Sequence, residues 1–267
     1  MSDFITHLLP YGVCAGAYGA QAVVFWPGRV TSLNPGNWRL LPLLPWALHA
    51  WLVFAAMLAG GAVSLGLFTA LSAVAALMVM AYAVAAWRYP LGGMQGVVLA
   101  IAAILVLLQG LFDDATPLLH APDFSLIAHL LASLTAYSLF GIAALHALFI
   151  LMLERSLHRH PLANAVSGLP PLLTLERLMF RLIQAGFAVL SLTLLSGVVF
   201  AGGVPLTHMT VFGMASWVIF GWLLLGRMRH GWRGRRAVYW TLGGFATLFL
   251  AYMGSQFVYE FLLDRSV

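Results

Sequence analysis

The sequence has 267 residues, of which 62% are hydrophobic and only 8% are charged. Because soluble domains usually carry about 25% charged residues, a soluble fold of this size could not cover its surface with so few charges. The thirteen positive charges, all arginine, give a net charge of +5, yet they lie in short clusters between apolar runs, which indicates membrane topology rather than nucleic-acid binding.

Apolar runs of about 20 residues, the length that a helix needs to cross the hydrocarbon, follow one another along the chain. The predicted spans cover residues 5–26, 41–61, 65–87, 95–112, 125–153, 178–200, 209–226 and 237–262. A short segment with Gly60, Gly61 and Ser64 separates the second span from the third, so we predict a tight hairpin there. We therefore predict an all-α fold, a polytopic transmembrane helix bundle of about eight spans, in which residues 1–267 form a single transmembrane domain.

Loop charges predict the orientation of these spans. Alternate loops carry twelve of the thirteen arginines: Arg29, Arg39, Arg88, Arg155, Arg159, Arg177, Arg181, Arg227, Arg229, Arg233, Arg235 and Arg236. The acidic residues of the opposite side are Asp3, Asp113, Asp114, Asp123, Glu260 and Asp264. Since positively charged loops stay in the cytoplasm, we predict both termini outside, in the periplasm, and a multi-pass protein of the bacterial inner (cytoplasmic) membrane.

Residues 154–177 form the longest of the predicted cytoplasmic loops. Pro161, Gly168 and Pro170 interrupt any helix there, and the run from Thr174 to Arg181 then starts a new one. We expect this stretch to be a surface-lying linker that anchors the sixth span.

The sequence lacks the motifs and residues that are typical of several functional classes. No HExxH, GxSxG or GxxxxGKS/T string occurs, which argues against zinc protease, serine hydrolase and nucleotide-binding functions. Cys14 is the only cysteine, so the chain has no intrachain disulfide and no CxxC redox pair. Acidic residues lie only near the ends of the predicted spans, whereas a proton-coupled transporter usually carries an intramembrane carboxylate. The candidate residues that remain are histidines.

His129 opens the fifth predicted span, and His208 opens the seventh after the loop 202–205 (GGVP). We expect both at similar depth on the same outer face. Two neutral imidazoles facing each other across a gap are the usual ligands of a six-coordinate low-spin haem iron, so His129 and His208 form a candidate haem-iron site. The alternative is a pair of interfacial histidines that hydrogen-bond to backbone or lipid headgroups.

His49 and His146 form a second candidate pair. The direction of the second span puts His49 roughly 12 Å into the membrane, and the fifth span brings His146 to a similar height. An imidazole at this depth needs a partner inside the bundle. The pair can bind a second haem, or each histidine can make a hydrogen bond between helices.

Several separated stretches, in the same order, resemble the cytochrome c assembly protein family (CcsA/CcmC-like), and within it the inner-membrane YpjD/HemX-like branch. The matching stretches are 206–217 (LTHMTVFGMASW), 225–236 (LGRMRHGWRGRR), 240–245 (WTLGGF), 252–257 (YMGSQF), 169–172 (LPPL) with 176–181 (ERLMFR), His129 with Ser133 and Tyr137, and His49. The resemblance covers essentially the whole chain.

This resemblance implies a protein that handles haem. Better-known members pass haem to apocytochrome c on the outer side, using outer-face histidines around a tryptophan-rich WWD segment. The resemblance implies that His129 is the first outer-face haem ligand. It also implies that His208 lies where the segment after the WWD motif begins. Residues 201–206 take the place of the tryptophan-rich segment, and Leu225 replaces a transmembrane histidine. We therefore expect haem binding, sensing or a subunit role rather than a complete haem lyase.

We accordingly predict an integral membrane protein, related to cytochrome c assembly factors, that binds haem near the periplasmic face without turnover of its own. The haem is expected to be of the b type and non-covalently bound. The expected partners are the lipid bilayer, haem, and other cytochrome assembly or membrane proteins, with no nucleic acid. One alternative is an accessory subunit of membrane transport or regulation, for example ion efflux, with structural histidines. Another is a membrane enzyme of haem metabolism.

Overall fold

The computed structural model describes residues 2–26, 41–58, 63–87, 89, 91, 93–112, 117–119, 124–157, 170–200 and 207–254. Its helices are α1 (Ser2–Val24), α2 (Leu43–Met57), α3 (Leu67–Ala85), α4 (Met94–Leu111), α5 (Phe124–Leu157), α6 (Leu172–Phe200), α7 (His208–His230) and α8 (Gly234–Phe249), which continues into a π-helical turn at Leu250–Gly254. The chain forms two compact units: unit 1 comprises Met1–Ala121 and Arg159–Pro170, and unit 2 comprises Pro122–His158 and Pro171–Val267.

Unit 1 contains α1 to α4. These apolar segments are helical because lipid offers no hydrogen-bond partners, so each backbone must satisfy its own polar groups. Helices α1 and α4 pack antiparallel: the ring of Tyr11 lies against Gly110, and an added Cβ at Gly96 would come within 2.6 Å of the Phe25 carbonyl oxygen. The two glycines therefore allow a close approach of the two backbones, as small residues do between membrane helices.

A pair of short strands also belongs to unit 1. Strand β1 (Val63–Ser64) pairs antiparallel with β2 (Pro117–Leu119). The rings of Phe68 and Phe112 stack at the same end of α3 and α4, with centroids 4.5 Å apart. The connection predicted as a tight hairpin thus contains a strand that pairs with the segment after α4, and residues 59–62 lie outside the described residues.

Unit 2 contains α5 to α8. Helices α5 and α6 are antiparallel, because His129 near the start of α5 contacts Ser196 near the end of α6, and the Phe140 ring lies against Gly186. The Phe140 ring also stacks on Phe220 of α7 with centroids 3.9 Å apart, and both side chains are fully buried. The middle of unit 2 is therefore a mainly apolar core, and the polar side chains buried there donate hydrogen bonds to backbone carbonyls.

The two ends of unit 2 differ in chemistry. At the histidine end, α5 and α7 begin and α6 ends, and we define this end by His129, Ser196 and His208. At the arginine end, α5 and α7 end and α6 and α8 begin. We define this end by Glu154, Arg155, Glu176, Arg177, Arg181, Arg227, Arg229, Arg233, Arg235 and Arg236.

The described helices lie over the predicted spans, and apart from the strand pair the described regular structure is helical, as predicted. Within the described residues, five helices are long and apolar enough to cross a membrane: Leu67–Ala85, Met94–Leu111, Phe124–Arg155, Leu172–Val199 and His208–His230. The eight-span count and the periplasmic termini stay predictions. The loop residues Arg29, Arg39, Arg88 and Arg159 lie outside the described residues.

The prediction of a surface-lying linker is wrong where the structure describes it. Helix α6 begins at Leu172 and continues to Phe200, so the run from Thr174 to Arg181 belongs to the spanning helix itself. Leu175 and Met179 are fully buried and lie four residues apart, on one face of α6. That face packs in unit 2, whereas a helix lying on the surface would leave it exposed. Residues 158–169 are outside the described part of the chain.

Candidate functional site

His129 lies on α5 within about two turns of the start of the helix. Its side chain is half-buried, and its Nδ1 atom is 2.9 Å from the Ser196 hydroxyl oxygen of α6. Ser196 is followed on α6 by Gly197, where an added Cβ would lie 3.4 Å from the His129 Cε1 atom. Helix α6 therefore presents a hydroxyl group that fixes the ring and a glycine that leaves room beside it.

The Ser196 hydroxyl determines which nitrogen of His129 carries the proton. Ser196 has one hydroxyl hydrogen, and it donates to the Thr193 carbonyl oxygen at 2.9 Å. A carbonyl can only accept, so both contacts of Ser196 are hydrogen bonds only when Ser196 accepts from His129 Nδ1–H. The neutral ring then has a free electron pair on Nε2, and no hydrogen bond to Nε2 occurs within the described residues. This is the tautomer that binds a metal ion through Nε2.

His208 is the first residue of α7, and its side chain is exposed. The helix begins there because the Thr207 hydroxyl oxygen caps it, accepting from the Thr210 backbone N–H at 3.3 Å. An added Cβ at Gly213, farther along α7, would lie 3.6 Å from Leu194 of α6.

These contacts fix the relative heights of the two histidines in unit 2. His208 precedes Gly213 by five residues, and His129 lies beside Ser196, two residues beyond Leu194 on α6. At 1.5 Å per residue, His129 and His208 are within about one helical turn of each other in height. The structure thus brings both predicted ligands to the histidine end. The loop 201–206 between α6 and α7 lies outside the described residues.

His49 lies in the interior of unit 1 and links three helices. Its side chain is fully buried on α2, with Nε2 2.8 Å from the Ser72 hydroxyl oxygen of α3 and Nδ1 3.3 Å from the Tyr18 hydroxyl oxygen of α1. Both ring nitrogens therefore have hydrogen-bond partners. This arrangement matches the alternative in which a buried histidine makes hydrogen bonds between helices.

His146 lies in unit 2, on α5, and is only 2% exposed. Its Nδ1 atom donates to the Ile142 carbonyl oxygen of the same helix at 2.9 Å. His49 and His146 belong to different compact units, so their predicted pairing stays a prediction.

Sequence reasoning missed Ser196 as a partner of His129. The available signal was a pair of small residues, Ser196 and Gly197, close to the end of a predicted span that runs antiparallel to the one beginning at His129. A second contact near this end joins α5 to α8, since the Tyr137 hydroxyl donates to the Leu248 carbonyl oxygen at 2.8 Å. Within the described residues, no group of three or more His, Cys, Asp or Glu side chains is placed to hold a metal ion.

The sequence is similar to proteins of one family. The family model described as Cytochrome C assembly protein matches residues 38–263. The inner membrane protein YpjD of Escherichia coli strain K12 is 33% identical over 152 residues, which cover 56% of this chain and 55% of that protein. An uncharacterized 28.8 kDa protein of Azospirillum brasilense is 34% identical over 148 residues, which cover 54% of this chain and 55% of that protein.

A more distant similarity is to the cytochrome c biogenesis protein CcsA of Guillardia theta, which is 27% identical over 167 residues, or 55% of this chain and 56% of that protein. This chain thus spans about half the length of the curated relatives it matches. No solved structure matches it.

Proposed function

Because this chain belongs to the cytochrome c assembly protein family, we propose that it binds haem through His129 and His208 at the periplasmic face of the bacterial inner membrane. The family match confirms the resemblance seen in the sequence, and the apolar helices fit a multi-pass membrane protein. The proposed role is haem binding or handling in cytochrome assembly, without turnover by this chain.

The main support for this proposal is the hydrogen bond between His129 Nδ1 and Ser196 Oγ, which is 2.9 Å long. A histidine that binds a metal ion usually donates its other ring N–H to a fixed acceptor, which orients the ring and makes the ligating nitrogen more basic. Ser196 fills this role here, since it donates its own hydrogen to Thr193. A neutral His129 ring protonated on Nδ1, with no hydrogen bond to Nε2 among the described residues, supports its assignment as a haem ligand.

His208 is the proposed second axial ligand. It lies at the same end of unit 2 as His129 and at nearly the same height, and its exposed side chain is accessible to a ligand that enters from outside the bundle. The Thr207 cap fixes the point at which α7 begins, and this point sets the height of His208. Two imidazoles supply the donors that a low-spin haem iron takes.

The residues of this site have separate tasks. His129 and His208 hold the iron, Ser196 keeps the His129 proton on Nδ1, and Gly197 leaves room beside the ring. When bound, haem supplies iron-centred redox and ligand-exchange chemistry. We propose a non-covalent b-type haem, because the single cysteine, Cys14, is buried in unit 1 and donates to the Pro45 carbonyl oxygen at 3.4 Å.

The arginines at the opposite end of unit 2 support the proposed periplasmic position of the site. The end of α7 and the start of α8 carry Arg227, Arg229, Arg233, Arg235 and Arg236. Arginine-rich connections stay in the cytoplasm during insertion, so the arginine end faces inward and the histidine end faces outward. The arginines of unit 2 alone predict this orientation, whatever the total number of spans.

For the second pair we propose a structural role in the conformation seen here. His49 uses both ring nitrogens to join α1, α2 and α3, and a metal ion would have to replace one of these bonds. His146 donates to the Ile142 carbonyl oxygen. A second haem bound by His49 and His146 would instead appear as a second spectral component that is lost when either residue is replaced by leucine.

The proposal is tested by the absorption spectrum of the full chain, expressed with ample haem and purified in mild detergent. We expect a Soret band of six-coordinate, low-spin haem. His129→Ala and His208→Ala should each give a five-coordinate spectrum or lose haem, whereas His230→Ala, a control at the arginine end, should leave the spectrum unchanged. Wild-type protein without haem would contradict the proposal and favour an accessory transport or regulatory subunit.

A further inference from the structure

The arginine end of unit 2 carries far more positive charge than its carboxylates neutralise. Among the described residues, its acidic residues are Glu154 and Glu176, and its arginines are Arg155, Arg177, Arg181, Arg227, Arg229, Arg233, Arg235 and Arg236. Eight positive and two negative charges leave an excess of +6 (8 − 2 = 6). An excess of this size at one end of a bundle attracts anions.

The two carboxylates have structural partners. Glu176 is 8% exposed and lies 3.2 Å from Arg227 Nη1 and 4.0 Å from Arg233 Nε. Glu154 lies 3.1 Å from Arg235 Nε. Arg236 is exposed and has no carboxylate partner among the described residues. Its charge is therefore available to an anion from outside the chain.

The turn between α7 and α8 holds Arg236 in a fixed place. Gly231 adopts a left-handed conformation with φ of 62°, which glycine permits, and the turn folds the Trp232 ring onto Gly226. Arg227 Nη1 donates to the Trp232 carbonyl oxygen at 3.0 Å. The Arg236 guanidinium lies over the Trp232 ring, 3.9 Å from its centre, as in a cation–π contact. One face of the guanidinium is thus covered by the ring, while the exposed side chain leaves its N–H groups accessible.

Large apolar side chains are exposed on the two helices that this turn joins. Met228, Trp222 and Tyr239 are 81%, 53% and 60% exposed, and the Trp222 and Trp232 rings meet edge to face with centroids 6.2 Å apart. Inorganic phosphate would gain nothing from these exposed apolar side chains, whereas the acyl chains of a lipid would. Tryptophan and tyrosine next to arginine are typical of the level at which lipid headgroups meet the hydrocarbon.

We propose that the turn between α7 and α8 binds the headgroup of an anionic phospholipid. Arg236, held on Trp232, contacts the phosphate, and Arg229, exposed in the last turn of α7, contributes a second positive charge. In this proposal Trp222, Met228 and Tyr239 contact the part of the acyl chains that lies next to the headgroup. This site is at the opposite end of unit 2 from His129 and His208, and it does not depend on haem binding.

The test titrates delipidated full-length protein in mild detergent with phosphatidylglycerol, phosphatidylcholine or inorganic phosphate, following the thermal unfolding temperature. Phosphatidylglycerol should raise this temperature at lower concentrations than phosphatidylcholine, and inorganic phosphate should have little effect. Arg236→Gln should weaken the apparent affinity for phosphatidylglycerol roughly fivefold, the value expected for one interfacial arginine. Arg177→Gln, an exposed arginine at the same end, is the matched control and should change it by less than twofold.

Arg236→Lys serves as a second variant should Arg236→Gln fail to fold. It keeps the charge but not the planar group on Trp232, so we expect an affinity between those of the wild type and Arg236→Gln. Equal responses to the two lipids would overturn the proposal, as would a response to inorganic phosphate alone. Equal losses of affinity for phosphatidylglycerol in the Arg236 and Arg177 variants would also overturn the proposal. The lipid would then respond to the net charge of this end and not to a specific site at Arg236.

Discussion

Ser196 accepts a hydrogen bond from His129 across the contact between α6 and α5, with 2.9 Å between the Oγ and Nδ1 atoms. The same hydroxyl donates to the Thr193 carbonyl oxygen one turn earlier in α6. One serine thereby fixes both the orientation and the protonated nitrogen of a half-buried histidine.

Ser196→Ala should therefore weaken haem binding without removing a haem ligand. Loss of a hydrogen-bond partner behind a ligating histidine usually lowers metal affinity by about 10–100-fold. A haem titration followed at the Soret band measures this effect. Ser133→Ala is the matched control, because the Ser133 hydroxyl donates to the His129 backbone carbonyl at 2.8 Å and not to its ring. Equal affinity in wild type and Ser196→Ala would show that Ser196 does not orient a ligand.

The hydrogen bonds of His49 should stabilise unit 1. We expect His49→Leu to lower the free energy of unfolding by about 0.6–2 kcal/mol, the range for hydrogen bonds between membrane helices, since Ser72 and Tyr18 lose their shared partner. A double-mutant cycle with Ser72→Ala should give a coupling energy of about 0.5 kcal/mol or more. Unfolding in a denaturing detergent measures both quantities. Independent, additive effects of the two substitutions would contradict a direct bond.

The ion pairs of Glu176 and of Glu154 at the arginine end should differ in strength, because the burial of these two carboxylates and their partners differs. The Glu176 side chain is 10% exposed and that of Arg227 is 26% exposed, so Glu176→Gln should destabilise the protein by about 1.5–3 kcal/mol. Glu154 pairs with Arg235, whose side chain is 65% exposed, so Glu154→Gln should cost only about 0–1 kcal/mol. The reverse order in unfolding measurements would refute this assignment.

Orientation can be tested on α7 alone. Cys14 is the only cysteine, and in a Cys14→Ser background Met209→Cys and Met228→Cys place one exposed thiol at each end of this helix. In intact spheroplasts a membrane-impermeant maleimide should label Met209→Cys, whereas Met228→Cys should be labelled only after permeabilisation. The opposite pattern would place the histidine end in the cytoplasm. A reporter fused at Val267 shows on which side of the membrane the C-terminus lies. A cytoplasmic signal would contradict the predicted periplasmic position of the termini.

Much of the helical architecture could be predicted from the sequence, because long apolar runs in lipid have few alternatives to a helix. The strand pair could not, since Val63–Ser64 is too short to show a period of two. The linker prediction failed for a related reason. Proline and glycine mark where a helix stops, but they do not tell whether the following residues, such as Leu175 and Met179, are buried by a neighbouring helix.

The candidate site could be predicted only in part. The positions of His129 and His208 at the starts of two spans of the same direction suffice to place them at one end of a bundle. Ser196 could not be found in this way, because its contact with His129 depends on which face of α6 turns toward α5. The partners of His49 pose the same problem, since Tyr18 and Ser72 come from two other helices.

If His129 and His208 are the axial ligands of one haem, free imidazole should be able to replace either side chain. In His129→Gly and in His208→Gly, haem should become five-coordinate or dissociate. Adding imidazole to the purified variants should restore the six-coordinate, low-spin spectrum, because an untethered ring can occupy the space of the missing side chain. Variants whose spectra equal that of the wild type before any imidazole is added would show that His129 and His208 are not the haem ligands.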